Sequence, residues 1–127
     1  LHNGESFYEK LVELNLAYSA DLVIVDGIRC FTNPSPDSSP ITDAVEPGVI
    51  IAASTRVAAD AVAVAIMKGY DVLGIADRPV SEQRQLALAE KLGLGRPKID
   101  AIELRALNLT DDETFDQTVS RIKIELC

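Results

Sequence analysis

The residue whose setting most demands chemistry is Asp60. It stands inside a run that is otherwise apolar, Val57-Ala58-Ala59-Asp60-Ala61-Val62, continuing to Ile66. Burying an unpaired carboxylate is costly, so this carboxyl takes a hydrogen-bond partner, holds a proton or reaches a cavity. Either it makes a structural hydrogen bond to a neighbouring loop or sheet end, or it serves as ligand contact, metal donor or general base. Asp26 comes next. It closes the short apolar run Leu22-Val23-Ile24-Val25, directly before Gly27. Ligands of α/β sheets gather beyond the carboxyl ends of strands; an Asx turn ending the strand is the structural alternative. If the strands that lead to Asp26 and Asp60 run parallel, the two carboxylates can share a divalent cation, which prefers oxygen donors. If they run antiparallel, Asp26 faces the loop that follows. Cys30 is the third candidate, because Arg29 beside it can lower the thiol pKa. The catalytic candidates are therefore Asp26, Asp60 and Cys30, and the metal candidates Asp26 and Asp60.

Other chemistries lack their residues. There is no glycine-rich phosphate loop, no zinc-ligand spacing and no Ser-His-Asp order, and the one histidine, His2, has no partner at a recognisable spacing. The two cysteines, Cys30 and Cys127, are too few for an iron–sulfur cluster, which needs about four thiolates. Two thiols so far apart fit a reducing, cytoplasmic setting. The chain has 12 Lys and Arg against 20 Asp and Glu, a formal charge of -8. That balance argues against nucleic-acid backbones and anionic membranes as partners. The excess is concentrated before Val49, a field that attracts a cation or is simply a solvated acidic face. No apolar run approaches the roughly 20 residues of a membrane-spanning helix.

The elements that must position these side chains are legible in outline. Phe7, Leu11, Leu14 and Tyr18 share one helical face, and Ser6 with Glu9 forms a capping box, so residues 6–18 read as a helix. Residues 22–25 read as a buried strand. Residues 27–48 hold Pro34, Pro36, Pro40 and Pro47 among Ser and Asn, which excludes a helix and disfavours a central strand. A loop of this length is commonly functional, here a lid, or else a connector. Val49-Ile50-Ile51-Ala52-Ala53 reads as a second strand, and Ser54 or Thr55 caps a helix over residues 56–68 that is apolar nearly all round and therefore buried. Residues 70–79 are irregular or hold a short strand. Ser81 opens a helix to about Leu92, ended by Gly93. Residues 99–107 alternate as a third strand, and Asp111 or Asp112 opens a last helix with Phe115, Val119, Ile122 and Leu126 on one face.

The order is helix, strand, long loop, strand, helix, helix, strand, helix. It predicts a layered α/β fold: a small mixed or parallel sheet of 3–4 strands packed by helices, with a right-handed parallel crossover into the third strand. A length of 127 residues with 47% hydrophobic residues fits one domain. The start at Leu1 rather than Met reads as a piece of a larger protein, and so small a sheet calls for added strands or a second copy.

Four segments together carry a family resemblance: residues 16–27 ending in Val25-Asp26-Gly27, then Glu46-Pro47-Gly48-Val49-Ile50-Ile51-Ala52, then Val57-Ala58-Ala59-Asp60-Ala61-Val62, then Leu92-Gly93-Leu94-Gly95 before Ile99. In this order they resemble the C-terminal part of the family called domain of unknown function 362. The resemblance implies a redox neighbourhood, because members are often fused to, or encoded as, iron–sulfur ferredoxin-like proteins. It implies acids as site residues where Asp26 and Asp60 stand. The family's glycine-rich stretch between them is replaced here by Asn33-Pro34-Ser35-Pro36-Asp37-Ser38. The expected function is a ligand- or divalent-metal-binding domain of a redox-associated protein, its site covered by the 27–48 loop. The alternative is a non-catalytic interaction domain that docks on a missing N-terminal segment, a ferredoxin-like partner or another copy of itself.

Overall fold

The computed structural model describes the backbone of residues 5–33 and 43–127, with side chains from Phe7 onward. His2, the Ser6 side chain of the capping box and the prolines at 34, 36 and 40 lie outside the described residues. The elements are α1 (Glu5–Leu16), β1 (Val23–Gly27), β2 (Cys30–Phe31), β3 (Ala44–Val45), β4 (Val49–Ala53), α2 (Arg56–Lys68), a single 3-10 turn (Val80–Glu82), α3 (Arg84–Lys91) and α4 (Phe115–Glu125).

The apolar run after Thr55 forms the central helix, as its composition requires. Thr55 has extended backbone, and its Oγ1 accepts from the Ala58 N–H at 3.2 Å, satisfying a donor that the first helical turn leaves free. At the far end the Gly69 N–H closes on the Ile66 carbonyl at 3.0 Å. No residue of α2 is fully exposed. The helix packs on β1 and β4 along one side and on α3 and α4 along others. Its alanines, with Ala61 and Ala65 wholly buried, allow that close approach. Val12 of α1, Val80, Leu86, Ile122 and Leu126 complete the core.

β1 and β4 are antiparallel, with Val23 opposite Ala53 and Asp26 opposite Ile50. β2 and β3 are antiparallel too, and continue the same two chain segments beyond an interruption at Ile28–Arg29 and Glu46–Gly48. The ends of the 27–48 loop are thus a short β-ribbon. Each strand of the β1–β4 pair alternates: Val23, Val25, Val49 and Ile51 turn toward α2, while Ile24 and Ile50 are 65% and 68% exposed.

The structure is mixed α/β, but the sheet differs from the layout expected above. Among the described residues the only sheets are two antiparallel two-stranded pairs, so the parallel crossover and the third strand at 99–107 are not formed. The alternation there is real, since Ile102 and Leu104 are half-buried and Glu103 and Arg105 exposed. Alternation defines a strand only where a neighbouring strand accepts its backbone hydrogen bonds, and among the described residues no strand pairs with this segment, whose Ile99 N–H donates to the Leu126 carbonyl at the end of α4. The stripe Phe7, Leu11, Leu14 and Tyr18 is exposed, and Val12 is the α1 residue that enters the core. Helix α3 begins after Gln83 rather than at Ser81, because residues 80–82 wind as a 3-10 turn. Gly93 does take the left-handed conformation, φ +77°. The last helix starts at Phe115, three residues after Asp112, whose Oδ1 accepts from the Thr114 N–H and Oγ1, both at 2.8 Å.

Residues 70–79 are a series of turns pinned from below. The Lys68 Nζ donates to the Ala76 and Arg78 carbonyls and pairs with Glu125 at 3.3 Å. The buried Gln83 amide donates to the Ile75 carbonyl at 2.9 Å.

Candidate functional site

Asp60 lies on the side of α2 that faces α3. It is partly buried, and the Gln85 side chain hydrogen-bonds its carboxyl group. Burial raises its pKa above the ordinary carboxylate value, and the Gln85 hydrogen bond opposes that only in part. No described cation pairs with it. The acid in the apolar helix is therefore answered by one neutral amide, which satisfies hydrogen bonding without compensating charge.

Beside it opens a cleft of about 400 Å³ between α1, the β4–α2 junction and α3. Leu11, Val57, Leu86 and Leu94 give it apolar walls, and Asn15, Ser54, Thr55, Arg56, Asp60 and Gln85 give it polar groups. The size and the mixture of an apolar wall with a few convergent polar groups are those of small-molecule sites. Gly95 helps shape this region. Its φ is +147°, and a Cβ there would lie 3.1 Å from Val57 Cβ, so glycine lets the turn after α3 close on α2. A second depression, lined by Asp116, Gln117, Ser120, Arg121 and Ile124, has walls from α4 alone and is an open groove.

Arg56 is the cleft-lining residue that sequence reasoning did not single out. It reaches across to the end of α1, where Nη2 donates to the Asn15 and Tyr18 carbonyls, both at 2.7 Å. The guanidinium carbon lies 4.4 Å from the Tyr18 ring centroid, a cation–π contact. Nη1 is buried and has no hydrogen-bond partner among the described residues. The partners of Arg56 lie 41 and 38 residues earlier in the chain, so no local motif announces them. The only local signal is an arginine opening an otherwise apolar helix.

The other two candidates sit elsewhere. Asp26 opposes Ile50 at the start of β4, whereas α2 begins beyond Ala53 at the opposite end of the pair. Asp26 also belongs to the exposed face, and its Oδ1 accepts from the Ile28 N–H at 2.9 Å, the Asx turn that was its structural alternative. Asp26 and Asp60 thus do not converge, and the shared-cation arrangement, which required parallel strands, is not formed. Among the described residues no three His, Cys, Asp or Glu side chains come together as a metal site. Cys30 is half-buried in β2, and burial pushes its thiol pKa up, the opposite of activation. The Arg29 guanidinium turns to Glu46 at 3.7 Å. The described part of the 27–48 loop runs away from the cleft: the Leu73 N–H donates to the Thr32 carbonyl at 3.0 Å, at the far end of α2. It does not cover Asp60.

Comparison with known proteins returns one finding. The family model described as Domain of unknown function (DUF362) matches residues 1–65, just over half of the chain. The chain belongs to this family. The DUF362 match takes in Asp26, Arg56 and Asp60, and with them three of the four resembling segments. Leu92-Gly93-Leu94-Gly95 falls beyond it. No curated protein and no solved structure matches the chain. Among the described residues no helix is long and apolar enough to cross a membrane.

Proposed function

We propose that this DUF362 domain binds a small molecule in the cleft between α1, α2 and α3, with Asp60 as the group that contacts it. The observation behind this reading is the partly buried Asp60 carboxyl on the cleft wall without a counter-charge. Such a group is the default mark of a site when it lines a cleft of mixed apolar and polar walls. With its raised pKa, Asp60 is also the better proton donor for any step at the bound molecule. A divalent cation fits less well: Asp60 brings one carboxylate, and the remaining oxygens of the cleft are neutral. The redox association implied by the family then belongs to a ferredoxin-like partner, since Cys30 and Cys127 are too few to hold a cluster. Their free thiols accord with a cytoplasmic setting.

Ser54 at the exposed rim provides the test. Fragment binding to the wild-type chain, followed by thermal shift, should be lost in Ser54→Phe, which blocks the cleft without entering the core. Fragments that bind both proteins equally would place the site elsewhere and refute the reading.

The exposed apolar faces of α1 and the β1–β4 pair favour a second reading, in which this surface is an interface with another copy of the chain. Light scattering across a concentration range separates the two readings, because a strict monomer contradicts the second.

A further inference from the structure

The polar side chains of the cleft differ in what they can offer an occupant. The terminal nitrogens of Arg56 are not available to one: Nη2 already donates to the Asn15 and Tyr18 carbonyls, and Nη1 is buried away from solvent. Its charge is spent on those carbonyls and on the Tyr18 ring. An anion entering the cleft is therefore offered no free arginine donor, and the chain's net charge of -8 repels it at longer range.

Asn15, Asp60 and Gln85 are in the opposite position. All three are partly exposed and line the cleft, and each keeps an acceptor oxygen. The Gln85 hydrogen bond favours the ionised Asp60 carboxyl, so the amide N–H is its donor and Gln85 Oε1 is left over. The Asn15 Nδ2 donates to the Leu11 carbonyl at 2.7 Å, which leaves Oδ1. Asp60 is in no ion pair among the described residues. A partly buried carboxylate and two amide oxygens without donors call for a positively charged N–H group, the strongest partner for such oxygens. A divalent cation lacks the carboxylates it needs, since among the described residues no three acidic, Cys or His side chains come together. Leu11 and Leu94 keep exposed apolar surface in the same cleft, which a bare ion would leave uncovered and an alkyl group would cover.

We propose that the cleft takes an organic monocation of the primary alkylamine class, with its ammonium on the Asp60 carboxylate and its aliphatic tail against Leu11 and Leu94. This rests on the reading of the cleft as a ligand site and names the chemistry of its occupant. The ammonium supplies the counter-charge that Gln85 cannot, and its remaining N–H groups are the donors that the amide oxygens of the cleft lack. The negative charge of the whole chain adds a general attraction for cations.

The experiment uses the full chain, labelled with nitrogen-15, and three probes that carry one isopentyl group: isopentylamine, a cation at neutral pH, isopentanol, and isocaproate, an anion. Amide shifts of Val57, Asp60 and Leu86 report occupancy. Isopentylamine should saturate them at a concentration about tenfold below that of isopentanol, with isocaproate the weakest of the three. Asp60→Asn should abolish the preference for amine over alcohol, and Asp60→Glu, which keeps the charge, should retain part of it. The substitution separates the site from attraction to the chain's overall charge, which Asp60→Asn changes only slightly. If isopentylamine binds no better than isopentanol, or its advantage survives Asp60→Asn, the amine assignment is overturned; isopentanol shifts at the same amides would then leave the cleft reading standing. If no probe moves these amides, both fail.

Discussion

Asp60 carries the account at the scale of single residues. Burial raises the Asp60 pKa above its unfolded value, so the folded chain binds this proton more tightly than the unfolded chain does. Below the unfolded pKa the residue is neutral in both states and the penalty for burying its charge is absent. As pH climbs from there through the raised folded pKa, the charged form is increasingly disfavoured and stability is lost. Asp60→Asn escapes that loss. The urea midpoint of the variant relative to the wild type should therefore rise with pH across this window and level off above it. A difference that is flat or falling with pH would show that Asp60 is not held in a desolvating site. The burial of Asp60 was legible in the sequence because an apolar helix with no wet side has no solvated face on which to put a carboxylate. Its partner Gln85 and its neighbour Arg56 were not, since both depend on contacts between separate elements. Asp26 and Cys30 ranked behind Asp60 on sequence grounds; the antiparallel pairing of β1 with β4 separates the first from Asp60, and burial raises the thiol pKa of the second.

At the scale of elements, agreement is closest where local signals coincide. Residues 49–68 form the expected strand and helix because a β-branched run, a hydroxyl cap and a closing glycine all point the same way. Thr55→Ala removes the Oγ1 acceptor of the Ala58 N–H and should destabilise the chain by about 1 kcal/mol, as N-cap substitutions do, measured by denaturant unfolding. An unchanged stability would mean that water or Ser54 replaces the cap without loss. Lys68 shows the opposite case. Its side chain is only 11% exposed and staples residues 70–79 to α4 through Glu125. Lys68→Met should cost about 1.5–3 kcal/mol, the scale of hydrogen bonds to a charged donor. An unfolding free energy within error of wild type would remove that role. The absent strand at 99–107 has a related cause: its alternating pattern records which side chains are buried, while strand formation depends on a neighbour that sequence alone does not locate.

At the scale of the whole molecule, the helices enclose one core but the sheet is covered on one side only. Ile24 and Ile50 project from the uncovered side, near-neighbours across the β1–β4 pair. A two-stranded pair with one apolar face in water is marginal by itself, and exposed apolar patches of this kind mark interfaces. Ile24→Lys with Ile50→Lys should therefore lower the apparent mass in light scattering at high concentration while leaving the helical circular dichroism unchanged. A wild-type chain that stays monomeric throughout would contradict a self-association surface. The α/β class and the central place of α2 could be read from composition and periodicity. The number of strands and their direction could not, because the segment between Gly27 at the end of β1 and Val49 at the start of β4 is long enough for either connection.

The most direct test of the central claim is a crystal of the chain soaked with a cocktail of small polar fragments. The account predicts fragment density between α1, α2 and α3, within hydrogen-bond distance of the Asp60 carboxyl, and its loss in Ser54→Phe. Fragments that settle elsewhere, with the Asp60 cleft filled by ordered water alone, would contradict it.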